Sequence, residues 1–267
     1  MKVPVTVFSD AVSLGEALAA EIADGIVTAN DAGCRYVLGC PGGRSPRSTY
    51  QALTDLVSRR HLDLSQVVIA MMDDYVVPAG PSFQAVPDHL HFSCRRFAAD
   101  EIVSPLNAAA GAGRGIAAES VWFPDPTKPA DYDYRLSEAG GVDLFIVASG
   151  ASDGHVAFNP PGTTRDARSR VVSLAESTRR DNLATFPAFG SLAEVPGHGV
   201  TVGVATIAEL SARVVLLAEG EAKAPAIARV RDLSDYEPSW PASIITLCRN
   251  PSIYADLAAA GLSAPAR

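Results

Sequence analysis

Apolar residues along the chain gather into short runs of strand length, separated by stretches with helical spacing. The runs are VPVTVF (3–8), RYVLGC (35–40), VVIAMM (67–72), DLFIVAS (143–149), VTVGVA (200–205) and RVVLLAEG (213–220). Between them, residues 13 to about 30, 46 to about 60 and the segment after 220 read as helices. Strands alternating with helices predict an α/β fold with a mostly parallel, Rossmann-like sheet and helices on both faces. Ser13 with Glu16 three residues on predicts a capping box opening the first helix. Ser45 as N-cap and Pro46 in the first turn predict the start of the second. Two Pro-, Gly- and Ala-rich stretches, 78–129 and 159–196, show no such pattern and read as irregular loops or a lid near a functional site.

Composition narrows this picture. With 267 residues, 48% of them hydrophobic, the chain can bury one large core, so a single domain over 1–267 is expected. A formal net charge of -8 argues against nucleic acid or an acidic membrane surface as partner, since both need a positive field. Asp10, Glu16 and Glu21 interrupt the apolar start too soon for a secretory segment, and no apolar run is long enough to span a bilayer. Cys34, Cys40, Cys94 and Cys248 lack metal-binding spacing and read as free thiols in a reducing cytoplasm. No metal is expected.

Ligands of such sheets sit beyond the carboxyl ends of the strands, and four stretches there carry chemistry. In GCPGGRSPRSTY, Gly42 and Gly43 permit close backbone approach, while Arg44, Ser45 and the helix start suit an anion. The spacing matches neither a Walker A nor a dinucleotide fingerprint. In MMDDYV, Asp73 and Asp74 follow a buried strand, where desolvation and mutual repulsion can tune a carboxylate into a general base. In SGASDGHVAF, Asp153 stands two residues before His155 and can orient the ring as a proton shuttle. Arg179 or Arg180 in STRRDN, and Lys223 in EGEAKA, can hold an anion. His89 and His91 read as surface or packing residues.

Taken in order, these segments resemble the glucosamine-6-phosphate deaminase/isomerase family, whose superfamily includes 6-phosphogluconolactonases. The resemblance runs from VLGCPGGRSPRSTYQAL through MMDDYV, DLFIVASGASDGHVAFNPPG, SRVVSLAESTRRDN and VTVGVATIAEL to LLAEGEAKAPAI and PASIITL. It implies a cofactor-free aldose–ketose proton transfer on a 6-phosphosugar, with ammonia released when C2 carries an amine. By the same resemblance Asp73 moves the proton between C1 and C2, and Asp153 with His155 opens the sugar ring. Gly42, Gly43, Arg44, Ser45, Arg179 and Lys223 hold the substrate phosphate, and about 163–188 forms a lid. The expected partner is a small phosphosugar, and a homo-oligomer is compatible with such a chain.

Two positions depart from the family pattern: Asp74 stands where the family's Met-Asp-Glu-Tyr motif has Glu, and Pro160 is the second. Deaminases of this family read Phe-Asn-Glu-Pro where this chain has Phe158, Asn159, Pro160 and Pro161, and proline cannot relay a proton. Either another acid such as Asp166 substitutes, or ring opening is weak, or the substrate does not need it. The alternatives are a 6-phosphogluconolactonase with His155 activating water, an isomerase of another phosphosugar, and a non-catalytic sugar-phosphate sensor.

Overall fold

In the computed structural model, which describes residues 2–262, eleven strands form two sheets. The strands are β1 (Val5–Phe8), β2 (Tyr36–Cys40), β3 (Val67–Met71), β4 (Asp73–Ala79), β5 (Ser82–Ala85), β6 (Val121–Trp122), β7 (Leu144–Ala148), β8 (Arg170–Ser173), β9 (His198–Thr201), β10 (Val214–Ala218) and β11 (Pro251–Asp256). Seven of them make a parallel sheet in the order β1-β11-β10-β7-β2-β3-β6. The α-helices are α1 (Ala11–Asp31), α2 (Arg47–Arg60), α3 (Cys94–Phe97), α4 (Ser104–Ala110), α5 (Ala130–Glu138), α6 (Glu176–Thr185), α7 (Val204–Leu210) and α8 (Ala224–Asp232).

The continuous apolar runs are explained by burial on both faces of the parallel sheet. Val37, Val68, Phe145 and Leu216 face one core, beside Trp122 and Ile244. Their neighbours Leu38, Ile69, Ile146 and Leu217 face the other, against Leu14, Leu18 and Ile22 of α1 and Leu53 of α2.

A second sheet was not expected from the sequence. It is antiparallel, ordered β5-β4-β9-β8, and begins where β3 runs into β4 across Met72 alone. Its own core is small, comprising Tyr75, Val86, Cys94, Phe158 and Leu174. The two stretches read as irregular therefore contain strands and helices, including β8 and α6 within 159–196.

Three boundaries also differ. The cap of α1 is Asp10, whose carboxylate accepts from the Ser13 amide at 2.8 Å while Ser13 Oγ accepts from the Asp10 amide; Ser13 is thus the third residue of the box. Helix α2 starts at Arg47, with Pro46 at the cap and no side-chain cap from Ser45. The run expected as one strand over 200–205 divides into β9 and α7, because Gly203 passes against the backbone of residue 167: a Cβ there would lie 1.9 Å from the Ala167 carbonyl oxygen.

Candidate active site

At the carboxyl ends of the parallel strands the chain encloses a cavity of about 550 Å³. The loops after β2, β7 and β10 form one side, and Tyr75, Phe92, Phe158 and Phe186 form much of the other. Four stretches far apart in sequence converge here: Gly42 to Ser45, Asp73, His155 and Lys223 all line the cavity.

Asp73 owes its position to the junction of the sheets, pairing with Thr201 across β9. The residue is 7% exposed, and its carboxylate accepts a long hydrogen bond from Cys94 Sγ (3.6 Å). Burial, with the Asp74 carboxylate adding to it, pushes Asp73 up to about 7, so the group exchanges protons near neutral pH. Asp74 has a different task. Fully buried, it accepts from the amides of Tyr75 (2.9 Å) and Cys94 (3.3 Å) and from Arg95 Nε (3.0 Å). Burial still raises it to about 6, with the Arg95 guanidinium pulling the other way.

Behind the opposite lip, Asp153 orients His155. Nδ1 lies 2.6 Å from an Asp153 oxygen, which also accepts the His155 amide at 3.0 Å. Ser177 Oγ (2.5 Å) and Thr178 Oγ1 (3.2 Å) donate to the other oxygen. Burial opposes the charge on Asp153, yet these bonds and the imidazole hold it well below the usual carboxylate range. An ionised carboxylate only accepts, so Nδ1 carries the hydrogen and Nε2 is left for the reaction. Two glycines make the corner possible. A Cβ on Gly150 would lie 2.2 Å from His155 Nδ1, and Gly154 takes φ +66 beneath the Trp240 ring.

Lys223 Nζ donates to the Ser149 carbonyl at 2.6 Å and faces the glycine-rich loop. Burial lowers its pKa, with the Asp181 carboxylate opposing that and Arg44 reinforcing it. Arg179 does not join this group. Its guanidinium donates to the carbonyls of Leu192 (2.5 Å) and Val195 (2.9 Å), tying α6 to the following turn. Nor does Asp166 reach the cavity; it is exposed and bonded to Thr164. Asn159 is buried as a structural link, donating to the Val156 and Val202 carbonyls and accepting from Arg170. His91 stacks edge-on against Phe92 and Phe189, a packing role.

Sequence reasoning missed Ser177 and Thr178, because short hydroxyl residues beside two arginines in STRRDN carry no anion-binding signal of their own. It also missed Arg95 and Cys94, which lie some twenty positions from the acids they contact and carry no local signal.

The family model for glucosamine-6-phosphate isomerases and 6-phosphogluconolactonase matches residues 9–254. The chain belongs to this family. A glucosamine-6-phosphate deaminase of Rhodopirellula baltica is 36% identical over 85% of this chain and 84% of its own. One of Streptomyces coelicolor is 34% identical over 96% and 91%. Among solved structures, a monomeric glucosamine-6-phosphate deaminase superimposes with a TM-score of 0.83 at 25% identity, covering 97% of this chain and all of that one. This isomerase/lactonase family membership fits the seven-stranded sheet and its cavity at the carboxyl edge. Among the described residues no helix is long and apolar enough to cross a membrane.

Proposed function

We propose that the protein is a cytoplasmic hexosamine-6-phosphate isomerase/deaminase, converting an amino-sugar 6-phosphate to a ketose 6-phosphate with release of ammonia. The observation that carries this reading is the convergence, on one cavity, of an acid poised near neutrality and an oriented imidazole. Aldose–ketose isomerisation of a closed sugar needs both. His155 takes the proton of the anomeric hydroxyl and returns one to the ring oxygen, opening the ring. Asp73 then removes the C2 proton and delivers it to C1, and water hydrolyses the resulting ketimine to ketone and ammonia.

Lys223 and the backbone and side chains of Gly42 to Ser45 supply the charge and donors for the phosphate. Asp74 works through Arg95, which holds the start of β4 and so the direction of Asp73. The test is ammonia release from glucosamine 6-phosphate, run beside the galactosamine isomer and 6-phosphogluconolactone. Ammonia from either amino sugar is the expected result. Acid from the lactone without ammonia would overturn the reading in favour of the lactonase.

A further inference from the structure

The proton shuttle meets a second carboxylate that no motif announced. Helix α6 presents Ser177, Thr178 and, one turn on, Asp181 toward the Asp153–His155 pair. A carboxylate oxygen of Asp181, a ring nitrogen of His155 and an oxygen of Asp153 lie within 4.8 Å of one another. Asp181 lines the cavity, accepts one hydrogen bond from Ser152 Oγ (3.3 Å), and forms no ion pair among the described residues. The turn after Asn159 offers no alternative, since Pro160 and Pro161 carry no acid and the nearby Asp166 points to solvent. Of the other cavity acids, Glu219 is held by Ser48 Oγ at 2.5 Å and Glu221 is exposed.

We propose that Asp181 is the positioning residue of the ring-opening step, resting on the deaminase reading above. When the imidazole takes the proton of the anomeric hydroxyl, the C1–O5 bond breaks and C1 becomes a carbonyl. The same proton balance is restored when the imidazolium protonates O5. Between these events His155 bears a positive charge, and Asp153 and Asp181 flank it with two negative ones. The other charges bearing on this group are Lys223 and, through Lys223, Arg44. The acid thus comes from α6 rather than from the fixed edge of the sheet.

The test compares the wild type with Asp181→Asn, Asp181→Glu and, as control, Asp166→Asn. Activity is measured on glucosamine 6-phosphate and on an analogue lacking the C4 and C5 hydroxyls, which cannot close a ring. Asp181→Asn should lower kcat on the closed sugar roughly tenfold to a hundredfold with KM nearly unchanged, and leave C2 proton exchange on the open analogue intact. Asp181→Glu should recover part of the loss, and Asp166→Asn should behave as wild type. Equal losses on both compounds, a change in KM alone, or no loss would overturn the proposal. A second measurement needs no substrate: at fixed pH the ring NMR signals of His155 should move in Asp181→Asn and stay in place in Asp166→Asn, since only the first loses a group beside the ring. Unmoved ring signals overturn the role of Asp181 even where ammonia release has failed for the wild type and the deaminase reading has fallen separately.

Discussion

The wall of the cavity formed by the parallel strands and the wall formed by the small sheet with α6 carry different kinds of side chain. On the first, charged groups are fixed by backbone: Lys223 by the Ser149 carbonyl and Asp153 by the His155 amide. Beneath it lie two apolar cores packed on both faces of the sheet. On the second, rings meet rings. Tyr75 lies 4.9 Å from Phe158, 5.4 Å from Phe92 and 6.4 Å from Phe186. Charge must be held to within fractions of an ångström to act on a reacting atom, whereas an apolar ring shapes and dries the site over a wider range of positions. The contrast teaches that the large sheet fixes the imidazole and the phosphate-facing charge through its backbone, while the small sheet and α6 shape the site with rings and add acids to it, Asp73 at the joint and Asp181 on α6.

The largest effect should come from the group between the two walls. Asp73→Asn is expected to lower kcat by ~10²–10⁴-fold while phosphosugar binding stays nearly unchanged, as ligand titration beside steady-state kinetics would show. In the wild type kcat/KM should fall as pH drops below about 7, the value to which burial pushes Asp73. Stability should move the opposite way. Between the ordinary carboxylate value and about 7 the folded protein keeps a proton that the unfolded chain has lost, so this contribution is full at low pH and disappears as pH rises through 7. Thermal melts of Asp73→Asn should lack that decline and exceed the wild type above neutrality.

On the charged wall, Lys223→Ala should weaken phosphosugar binding by ~1.5–3 kcal/mol, measured by calorimetry; an unchanged affinity would remove Lys223 from the phosphate site. Gly150→Ala tests the corner itself. The added methyl must displace His155 or Asp153, so a stability loss of about 1–3 kcal/mol and a fall in kcat are expected together. On the aromatic wall, Phe186→Ala should be the mildest, weakening binding by about 0.5–1.5 kcal/mol with little change in kcat. A loss in kcat as large as that of Asp73→Asn would erase the division of labour between the walls.

How much of this could be read from the chain follows the same division. Five of the seven parallel strands declared themselves through unbroken apolar runs, and Asp73, His155 and Lys223 through their place after those runs; β6, two residues long, and β11, whose PSIYAD mixes polar and apolar positions, did not. Of the small sheet only β9 was legible, overlapping the run at 200–205, and there it reads as part of the parallel sheet; β8 is a four-residue strand with no apolar run of its own. Arg179 had the right chemistry for an anion, but its guanidinium satisfies two carbonyls thirteen and sixteen residues away, a pairing that only the folded chain reveals. Ser177, Thr178 and Asp181 were legible in principle as one helical face, although that face means nothing until α6 is known to lie over the glycine corner.

Met72 joins the two sheets through its own peptide groups. Its N–H donates to the Cys40 carbonyl of β2, and its carbonyl accepts the Val202 N–H that follows β9. The joint therefore locks the catalytic acid to both sheets at once. Asp73 follows a residue whose N–H is held by the large sheet and whose carbonyl is held by the chain leaving the small one, so neither sheet can slide past the other without carrying the acid out of register with the imidazole.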